Sequence, residues 1–357
     1  MRTLRTLVVS ALSAGALVGA AAAPSAADSP NWNRTLDDMA LAPFQIVVNH
    51  QWVYVADGFY GTVTRHKGGT SQVVAQAQGE IAAVDVSPDS RSMAYTVADE
   101  TGTWLHISGP GGDVVADLLS HEVGANPDAG VEYGFVAGTP TACLEEFEAA
   151  VGFPAVYTGV VDSHPYAVAW LGDGSWAVAD AGGNDILRVA PDGSVSTLAV
   201  LPVQPHVLTS EQADAFGIPG CAGETYRFEP VPTDVQTHRG MLYVSTLPGG
   251  DEAGALGARG SVYALSASTG ASTQVATGFG GATNVAVAPD GTMYVSEFFG
   301  GGVTEVRPNG ERRLAAALMT PIGLDVQGAY LYAGTLAEID FETFTPLSYG
   351  SVVRIKR

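Results

Sequence analysis

Short runs of alternating apolar and polar residues recur along the chain in one repeating order. Each unit opens with a run that follows Pro or a small residue, and a tight turn leads to a second run that ends in Tyr-Val-Ala or a close variant. A third run follows Gly, and a further turn leads to a fourth. Alternation with a period of two predicts strands, and the two-residue turns predict antiparallel pairing.

The unit occurs six times. Its first strand lies at 43–48, 81–86, 165–170, 232–237, 282–287 and 321–326. Four antiparallel strands in each of six copies predict an all-β fold, a six-bladed β-propeller. A β-sandwich also contains many short strands, but it does not repeat one four-strand phrase.

The N-terminal part of the repeat predicts how the ring closes. The last unit ends with its third strand and has no fourth. In other units a fourth-strand apolar residue lies seven positions before the next first strand, as Val74 does before Ile81, and Leu36 lies at the same distance before Pro43. We therefore expect the segment 35–42 to form the outer strand of the C-terminal blade, which leaves no long free edge.

Three units carry extra chain. Insertions at 119–163 and 202–231 separate a fourth strand from the next first strand, and the Gly-rich segment 247–259 separates a second strand from a third. Loops of these two types open on the same face of a propeller. We therefore expect the insertions to form a cover on one face, which we take as the ligand face.

Both long insertions contain helix signals. In the first, Thr139 as N-cap and Gly152 as the stop bound a short amphipathic helix. In the second, Thr209 and Gln212 form a capping box, and the turns that follow end at Gly217.

Composition favours a large core and excludes two classes of partner. Of 357 residues, 46% are hydrophobic and 15% charged, and 44 Gly with 20 Pro exclude a coiled coil. There are 37 acidic and 16 basic residues, a net charge of -21, with no run of Lys or Arg outside the extreme ends. We therefore expect no nucleic-acid partner and no membrane insertion. We also expect a monomer.

The first 27 residues are typical of a secretory signal peptide. Arg2 and Arg5 precede an uncharged, Ala-rich stretch, and small residues place cleavage near Ala26 or Ala27. A membrane anchor is the alternative, but the apolar part is shorter than the roughly 20 residues that span a bilayer. We expect a secreted protein whose mature chain, 28–357, is a single propeller domain.

The two cysteines fit export. Cys143 and Cys221 are the only pair, and each lies in one of the long insertions. An oxidising compartment favours a disulfide that would fasten the cover. Two free buried thiols are the alternative.

Four stretches of the mature chain resemble the ScyD/ScyE family of exported proteins, whose units are similar to NHL repeats. The stretches lie at 162–169, 178–189, 228–235 and 282–291. The likeness covers nearly all of the mature chain. It implies a six-bladed propeller, remotely similar to the gluconolactonase, phosphotriesterase and strictosidine synthase propellers, and it implies no particular reaction.

The hydrolytic relatives imply where a metal ion would bind. They hold calcium on carboxylate and amide oxygens just after the first residue of several first strands. Here those positions include Phe44 and Tyr166, which offer no carboxylate or amide. One residue further on, Gln45, Asp234 and Asn284 are candidate ligands for calcium, the one cofactor that we consider. The alternative is that they bind channel water and neighbouring backbone.

Other candidates lie at the predicted channel mouth. His164 and Glu80 each precede a first strand, and Asp162 lies close by in the sequence, so these three are candidate acid-base groups. Phe44 and Tyr166 are candidate stacking surfaces for a sugar or an aromatic compound, with blade packing as the alternative.

Two function classes remain open. The leading one is a secreted, non-catalytic binding or scaffold protein whose capped face takes a small molecule, a glycan or a peptide. The alternative is a calcium-assisted hydrolase, lactonase or lyase at the central channel, with His164 as acid or base. The sequence contains no Gly-x-Ser-x-Gly, His-Glu-x-x-His, P-loop or Cys-x-x-Cys motif.

Overall fold

Six four-stranded antiparallel sheets form a closed ring, which confirms the six-bladed propeller. The computed structural model describes residues 33–251, 254–340, 343 and 345–357. The first strands of adjacent blades contact one another all the way round, so that the sixth blade meets the first. The predicted signal peptide, 1–27, lies outside the described residues.

The strands are numbered β1 to β30 along the chain, and each blade is given from its innermost strand outward. Blades 1 to 3 are β2 Pro43–Asn49, β3 Trp52–Asp57, β4 Thr62–Lys67 and β5 Thr70–Gln76; β6 Val84–Val86, β7 Met93–Asp99, β8 Gly102–Ser108 and β9 Val114–Asp117; β12 Pro165–Trp170, β13 Trp176–Asp180, β14 Asp185–Val189 and β15 Val195–Val200. Blades 4 to 6 are β18 Pro232–His238, β19 Met241–Thr246, β20 Gly260–Ser266 and β21 Ser272–Phe279; β22 Ala282–Val287, β23 Met293–Glu297, β24 Gly302–Val306 and β25 Arg312–Ala317; β26 Pro321–Gln327, β27 Tyr330–Thr335, β30 Gly350–Lys356 and β1 Arg34–Ala40.

The N-terminal strand closes the ring as the sequence predicts. Strand β1 pairs antiparallel with β30, with Thr35 opposite Val353 and Ala40 opposite Gly350. Ala40 is buried in a cluster with Ile46 and other residues of blades 1 and 6, and Leu36 packs against that cluster. The first described strand is therefore the outermost strand of the last blade.

The core is divided among the seams between blades. Each pair of adjacent blades shares one apolar cluster, and six such clusters complete the circle. The inner strands are apolar on both faces because neighbouring blades cover them; all five residues of β13 are buried. The outermost strands cover one face only, and β21 exposes most of its residues. Burial thus decreases from the inner to the outer strands of each blade. A strand that is buried on one face only shows the alternation of apolar and polar residues seen in the sequence.

The two long insertions combine into a further four-stranded sheet, which the sequence did not predict. Strands β10 and β11 come from the first insertion, and β16 and β17 come from the second. Their order is β11, β10, β17, β16. We call this the cap sheet; its strands are β10 Glu132–Phe135, β11 Val156–Thr158, β16 Gln204–Val207 and β17 Thr225–Phe228. A separate hairpin, β28 Glu338–Asp340 with β29 Thr345–Ser348, lies in blade 6 between β27 and β30.

Short helices accompany the cap sheet. They are α1 Leu118–Ala125, α2 Thr141–Val151 and α3 Ser210–Ala215, with a 3-10 turn at Pro219–Cys221. The capping box of Thr209 and Gln212 is formed as predicted. No helix in the described part of the chain is long and apolar enough to cross a membrane.

The start of α2 differs from the sequence prediction. Pro140 is the N-cap, no side chain caps the helix, and the Thr139 hydroxyl is buried without a partner. Because Pro at the cap supplies no side-chain acceptor, the first turn is anchored by its apolar face, where Cys143 and Phe147 are buried. The end is as predicted: Gly152 adopts a positive φ of 71° and its N–H binds the Glu148 carbonyl.

A disulfide joins Cys143 and Cys221, which confirms the predicted bond. Both sulfurs lie in the apolar core of the cap, with Phe135, Phe147 and Tyr226. The bond therefore ties helix α2 of the first insertion to the second insertion, across a sequence separation of 78.

Replacing Cys143 with Ser should destabilise the cap. Loss of a cross-link over a loop of this length removes a constraint on the unfolded chain worth about 4 kcal/mol in the loop-closure account. We expect a lower unfolding temperature by calorimetry, and Cys221→Ser should match it. An equal unfolding temperature for Cys143→Ser and the oxidised parent protein would contradict the expectation.

Candidate functional site

The polar side chains at the central channel bind the backbone of neighbouring blades. Gln45 on β2 accepts hydrogen bonds from the backbone N–H groups of Val84 (3.0 Å) and Val168 (3.1 Å), and it donates to the Val168 carbonyl (3.0 Å). Its amide also donates to Asp234 Oδ1 at 3.2 Å. The innermost strands have no further strand beside them, so their inward backbone groups need such partners.

Three aspartates continue this arrangement around the axis. Asp234 accepts from the Val285 N–H, Asp85 from that of Trp170 and Asp325 from that of Val48, each on the next blade, over 2.6 to 3.0 Å. Burial raises the pKa of Asp85 and of Asp234 to about 7 and that of Asp325 to about 6. Sequence reasoning missed Asp85 and Asp325, although both lie two positions beyond the residue aligned with Gln45.

The structure thus brings the predicted calcium ligands together, but they form hydrogen bonds with one another and with the backbone of neighbouring blades. Asn284 also binds the Asp234 carboxylate, and its own Oδ1 is buried without a partner. A calcium ion would have to replace the backbone donors of Gln45 and Asp234. Among the residues that the structure describes, no three His, Cys, Asp or Glu side chains are grouped so as to hold a metal ion.

An apolar plug separates these residues from the cap. Phe44 and Tyr166, the predicted stacking residues, meet edge to face with 5.6 Å between ring centroids. Tyr166 packs with Ala82, Ala181 and Val231 as well, and Phe44 also reaches the cluster of Phe298 and Ile322 on the other side of the axis. These contacts are those of blade packing, the alternative considered for both rings.

Below the plug the channel widens into a cavity of 720 Å³. Its lining includes Asp85, Asp234 and Asp325, together with turns that follow the first strands, such as those at His50 and Gly172. Because these turns lie at the far ends of the first strands, the cavity opens on the face opposite the cap. The carboxylates of the channel are therefore reached from the face that the sequence did not predict for ligands.

His164 and Glu80 form a hydrogen-bonded pair on the cap side. His164 Nε2 lies 2.7 Å from Glu80 Oε1, and the imidazole stacks on Tyr166 with 4.5 Å between centroids. Burial lowers the pKa of His164, but the charge of Glu80, with Asp180 and Asp162 nearby, outweighs burial and raises it. The pair therefore favours an imidazolium that is held by a carboxylate, a suitable proton donor.

Asp180 fixes the loop that carries this pair. Its carboxylate accepts from the backbone N–H of His164 (2.6 Å) and the hydroxyl of Ser163 (2.6 Å), and from the N–H groups of Gly182 and Gly183. Asp57, at the equivalent position of blade 1, likewise accepts from Leu41 and Ala42. Acidic residues at the ends of second strands thus accept hydrogen bonds from the backbone of adjacent loops.

A second cavity, of 360 Å³, lies under the cap, and we call it the cap pocket. All three insertions and the blade 3 loop that holds Ala181 line it, which agrees with the prediction that they share one face. The walls are mainly apolar and aromatic: Phe147, Val151, Phe153, Tyr157, Val160, Leu208, Phe216, Ile218, Tyr226, Phe228, Val231, Leu247 and Leu256. A cavity of this size and lining is typical of small-molecule sites.

Among the residues that the structure describes, the charged side chains that line the cap pocket are both acidic. Glu229 accepts a hydrogen bond from Tyr157, and burial raises its pKa to about 7. Asp162, predicted as a catalytic group, is the other carboxylate in the lining. Arg259 is not part of the lining; it lies across the Phe228 ring, 4.3 Å from its centroid, and donates to the Gly249 carbonyl.

Comparison with known proteins shows the fold. No protein family matches the chain, and no curated protein does. A structural genomics protein of unknown function from Bacteroides thetaiotaomicron is similar, with a TM-score of 0.55 and 10% identity over 91% of this chain and 75% of that one. A gluconolactonase from Xanthomonas campestris gives 0.54 and 14%, over 96% of this chain and 99% of that one. Both resemble this chain in having a β-propeller fold.

Proposed function

We propose that this protein is a non-catalytic binding protein whose cap pocket takes a small, largely apolar molecule that carries a positively charged amine. The observation that carries the proposal is the lining of the pocket: apolar walls from three separate insertions, with Glu229 and Asp162 as its charged groups. Apolar walls supply affinity by burying ligand surface, and a few fixed polar groups orient the ligand.

Preorganisation supports binding at this place. The disulfide joins the two long insertions, the cap sheet pairs their strands, and the aromatic rings of Phe135, Phe147 and Tyr226 pack edge to face or tilted in the cap core. A site that is rigid before binding loses little conformational freedom when the ligand enters.

The same proposal includes a cellular context. A disulfide in the cap fits an oxidising compartment, so we propose that the chain is secreted after loss of residues 1–27, that it acts as a monomer, and that it belongs with the ScyD/ScyE proteins that it resembles. A glycan or a peptide at the capped face is a less suitable ligand, since the pocket walls offer few hydrogen-bonding groups.

Three compounds with one skeleton test the proposal: 2-naphthylmethylamine, 2-naphthalenemethanol and 2-naphthoic acid, titrated by isothermal calorimetry at pH 7.5. We expect the amine to bind best and the acid worst. Val160→Trp should weaken the amine at least tenfold because Val160 lines the pocket, and Val207→Trp, at an exposed cap position outside the lining, should not. Glu229→Gln should remove about tenfold of the preference for the amine over the alcohol, the scale of one charge-assisted hydrogen bond.

Two outcomes would contradict the proposal. Equal binding by the parent protein and Val160→Trp would place the compounds elsewhere. A preference for the acid would contradict the ligand class, since it would require a cation that the lining does not supply.

A hydrolase, lactonase or lyase is the second candidate function, and the hydrogen bond between His164 and Glu80 favours it. In that hypothesis His164 serves as acid or base, with Gln45, Asp234 and Asn284 holding calcium. The plug of Phe44 and Tyr166 weighs against it, because it separates the proposed metal ligands from His164's side of the channel. Turnover of a lactone or ester that is lost in His164→Ala would favour this candidate over the first.

A further inference from the structure

Aromatic rings surround the Glu229 carboxylate in one part of the cap pocket. Tyr157 donates a hydrogen bond to Glu229, and Tyr226 is hydrogen-bonded to Tyr157. Burial and then the charge of Glu229 raise the pKa of both tyrosines, so the carboxylate lies close to both rings. Phe153 meets Tyr157 edge to face, with 4.8 Å between ring centroids. These four residues, all in the pocket lining, form what we call the aromatic corner.

Two rings of the aromatic corner are open to the pocket. Phe153 and Tyr157 are only half-buried, although both line the cavity. The neighbouring ring of Phe228 is less free, because the Arg259 guanidinium covers it at 4.3 Å from the ring centroid. A ligand that enters the corner therefore meets Phe153 and Tyr157, with Glu229 beside them.

The pocket offers few hydrogen-bond acceptors to a ligand. In the described part of the lining, the polar side chains are those of Asp162, Glu229 and the two tyrosines. One oxygen of Asp162 already accepts the Ser163 N–H at 3.0 Å, and Glu229 already accepts from Tyr157. A primary ammonium group carries three N–H donors, and a buried donor without a partner is costly. A cation without N–H donors therefore suits this pocket better.

We propose that the cationic group of the ligand is a quaternary ammonium, such as a trimethylammonium group, held against Phe153 and Tyr157 with Glu229 as its counter-charge. This ligand class rests on the proposed function above and makes it more specific. The negative face of an aromatic ring attracts a quaternary ammonium, and the attraction grows when water is excluded. Because the charge is surrounded by methyl groups, the same group also buries apolar surface.

The rest of the pocket would hold the apolar body of the ligand. Away from the aromatic corner the wall is largely aliphatic and includes Leu208, Ile218 and Leu256, which belong to the apolar core of the cap. A volume of 360 Å³ lies in the range of pockets that enclose a small organic molecule. The cap pocket thus has a charged aromatic end and an apolar end.

A matched pair of compounds tests the ligand class by isothermal calorimetry at pH 7.5. The pair is 2-naphthylmethylamine and its N,N,N-trimethyl derivative, which share the apolar body and the positive charge. We expect the trimethyl compound to bind about tenfold more tightly, the scale of a desolvated contact between a cation and aromatic rings.

A second pair separates charge from shape. Choline and 3,3-dimethylbutan-1-ol differ in one atom, because the alcohol has carbon in place of the charged nitrogen. Both are titrated into the complex with the trimethyl compound. Choline should displace that compound at concentrations at which the alcohol does not, since the rings and Glu229 attract only the cation.

Variants of the two open rings locate the cationic group. Phe153→Leu and Tyr157→Leu keep an apolar side chain but remove an aromatic face, so each should weaken the trimethyl compound about tenfold and 2-naphthalenemethanol much less. Tyr157→Phe keeps the ring and should bind the trimethyl compound as tightly as the parent. Phe59→Leu removes an exposed ring outside the lining and should also leave binding unchanged.

The possible failures are distinguishable. If the trimethyl compound binds no more tightly than the primary amine, while that amine still binds better than the alcohol of the same skeleton, the quaternary class is overturned and the proposed function stands. If neither cation binds better than that alcohol, both are overturned.

The position of the group is tested independently. Unchanged affinity for the trimethyl compound in folded Phe153→Leu and Tyr157→Leu would overturn the assignment to the aromatic corner, and so would displacement by 3,3-dimethylbutan-1-ol as effective as that by choline. Thermal unfolding of each variant shows whether it is folded. Should one Leu variant fail to fold, the other variant and the compound pairs decide.

Discussion

A chain that begins at Leu41 should unfold on the order of 10 °C below one that begins at Asn33. The shorter form lacks strand β1, so it exposes the edge of β30 and opens the cluster in which Ala40 covers Ile46 and Val352. A loss of several kcal/mol shifts the midpoint of a domain of this size by about that amount. The exposed edge should also make the shorter form aggregate, which light scattering during the thermal scan would detect.

A peptide of residues 33–41 offers a matched control. Added in excess to the shortened chain, it should occupy the edge of β30 and restore most of the unfolding temperature, because strand addition needs only the free edge and the apolar contacts. A peptide in which Ala40 is replaced by Asp should fail, since position 40 is buried. Equal unfolding temperatures for the two chain lengths would contradict closure of the ring by strand β1.

The repeat could be predicted from the sequence because the strands of a blade lie close to one another along the chain. Its four strands follow one another with short turns, so alternation and Gly-containing turns indicate both the strands and their partners. The closing strand was also predictable, since Leu36 keeps the spacing to Pro43 that Val74 keeps to Ile81. These features need no knowledge of distant contacts.

The cap sheet was not predictable in the same way. Strand β10 pairs with β17 from the other insertion, with Gly134 opposite Arg227, and an entire blade lies between them in the sequence. Strands of three or four residues carry little periodicity, and their partners are not their neighbours along the chain. The loop type placed both insertions on one face, and the cysteine pair joined them in a single cover.

The candidate site residues were likewise predictable only where they keep a fixed position in the repeat. The pair of His164 and Glu80 was predicted as two mouth residues because both precede a first strand, and adjacent blades place them in contact. The buried carboxylates of Glu122, Asp128 and Asp185 lie close together where the first insertion meets blade 3. They come from a helix, a loop and a strand end, so position in the repeat could not reveal them.

Buried acids with raised pKa values give this fold an unusual dependence on pH. In the folded state the pKa is about 7 for Asp85 and Asp234 and about 6 for Asp325, whereas these groups return to 3.8 when the chain unfolds. Between pH 4 and 7 the folded protein therefore binds more protons than the unfolded one. Stability is fullest below the unfolded pKa and is lost as pH rises towards and through the folded one.

We expect the free energy of unfolding in chelator-containing buffer to fall between pH 5 and pH 8. A single carboxyl with pKa values of about 7 and 3.8 contributes a loss of about 2 to 3 kcal/mol over that interval. Urea titrations at several pH values measure it. Asp234→Asn should flatten the dependence by that amount, because Asn can still accept the Val285 N–H but does not ionise. Asp192→Asn, in an exposed turn where Ser194 lowers the aspartate pKa, should leave it unchanged. Stability that rises from pH 5 to pH 8 would show that these carboxylates are ionised in the folded channel, held by charges or ions that the channel side chains do not themselves provide.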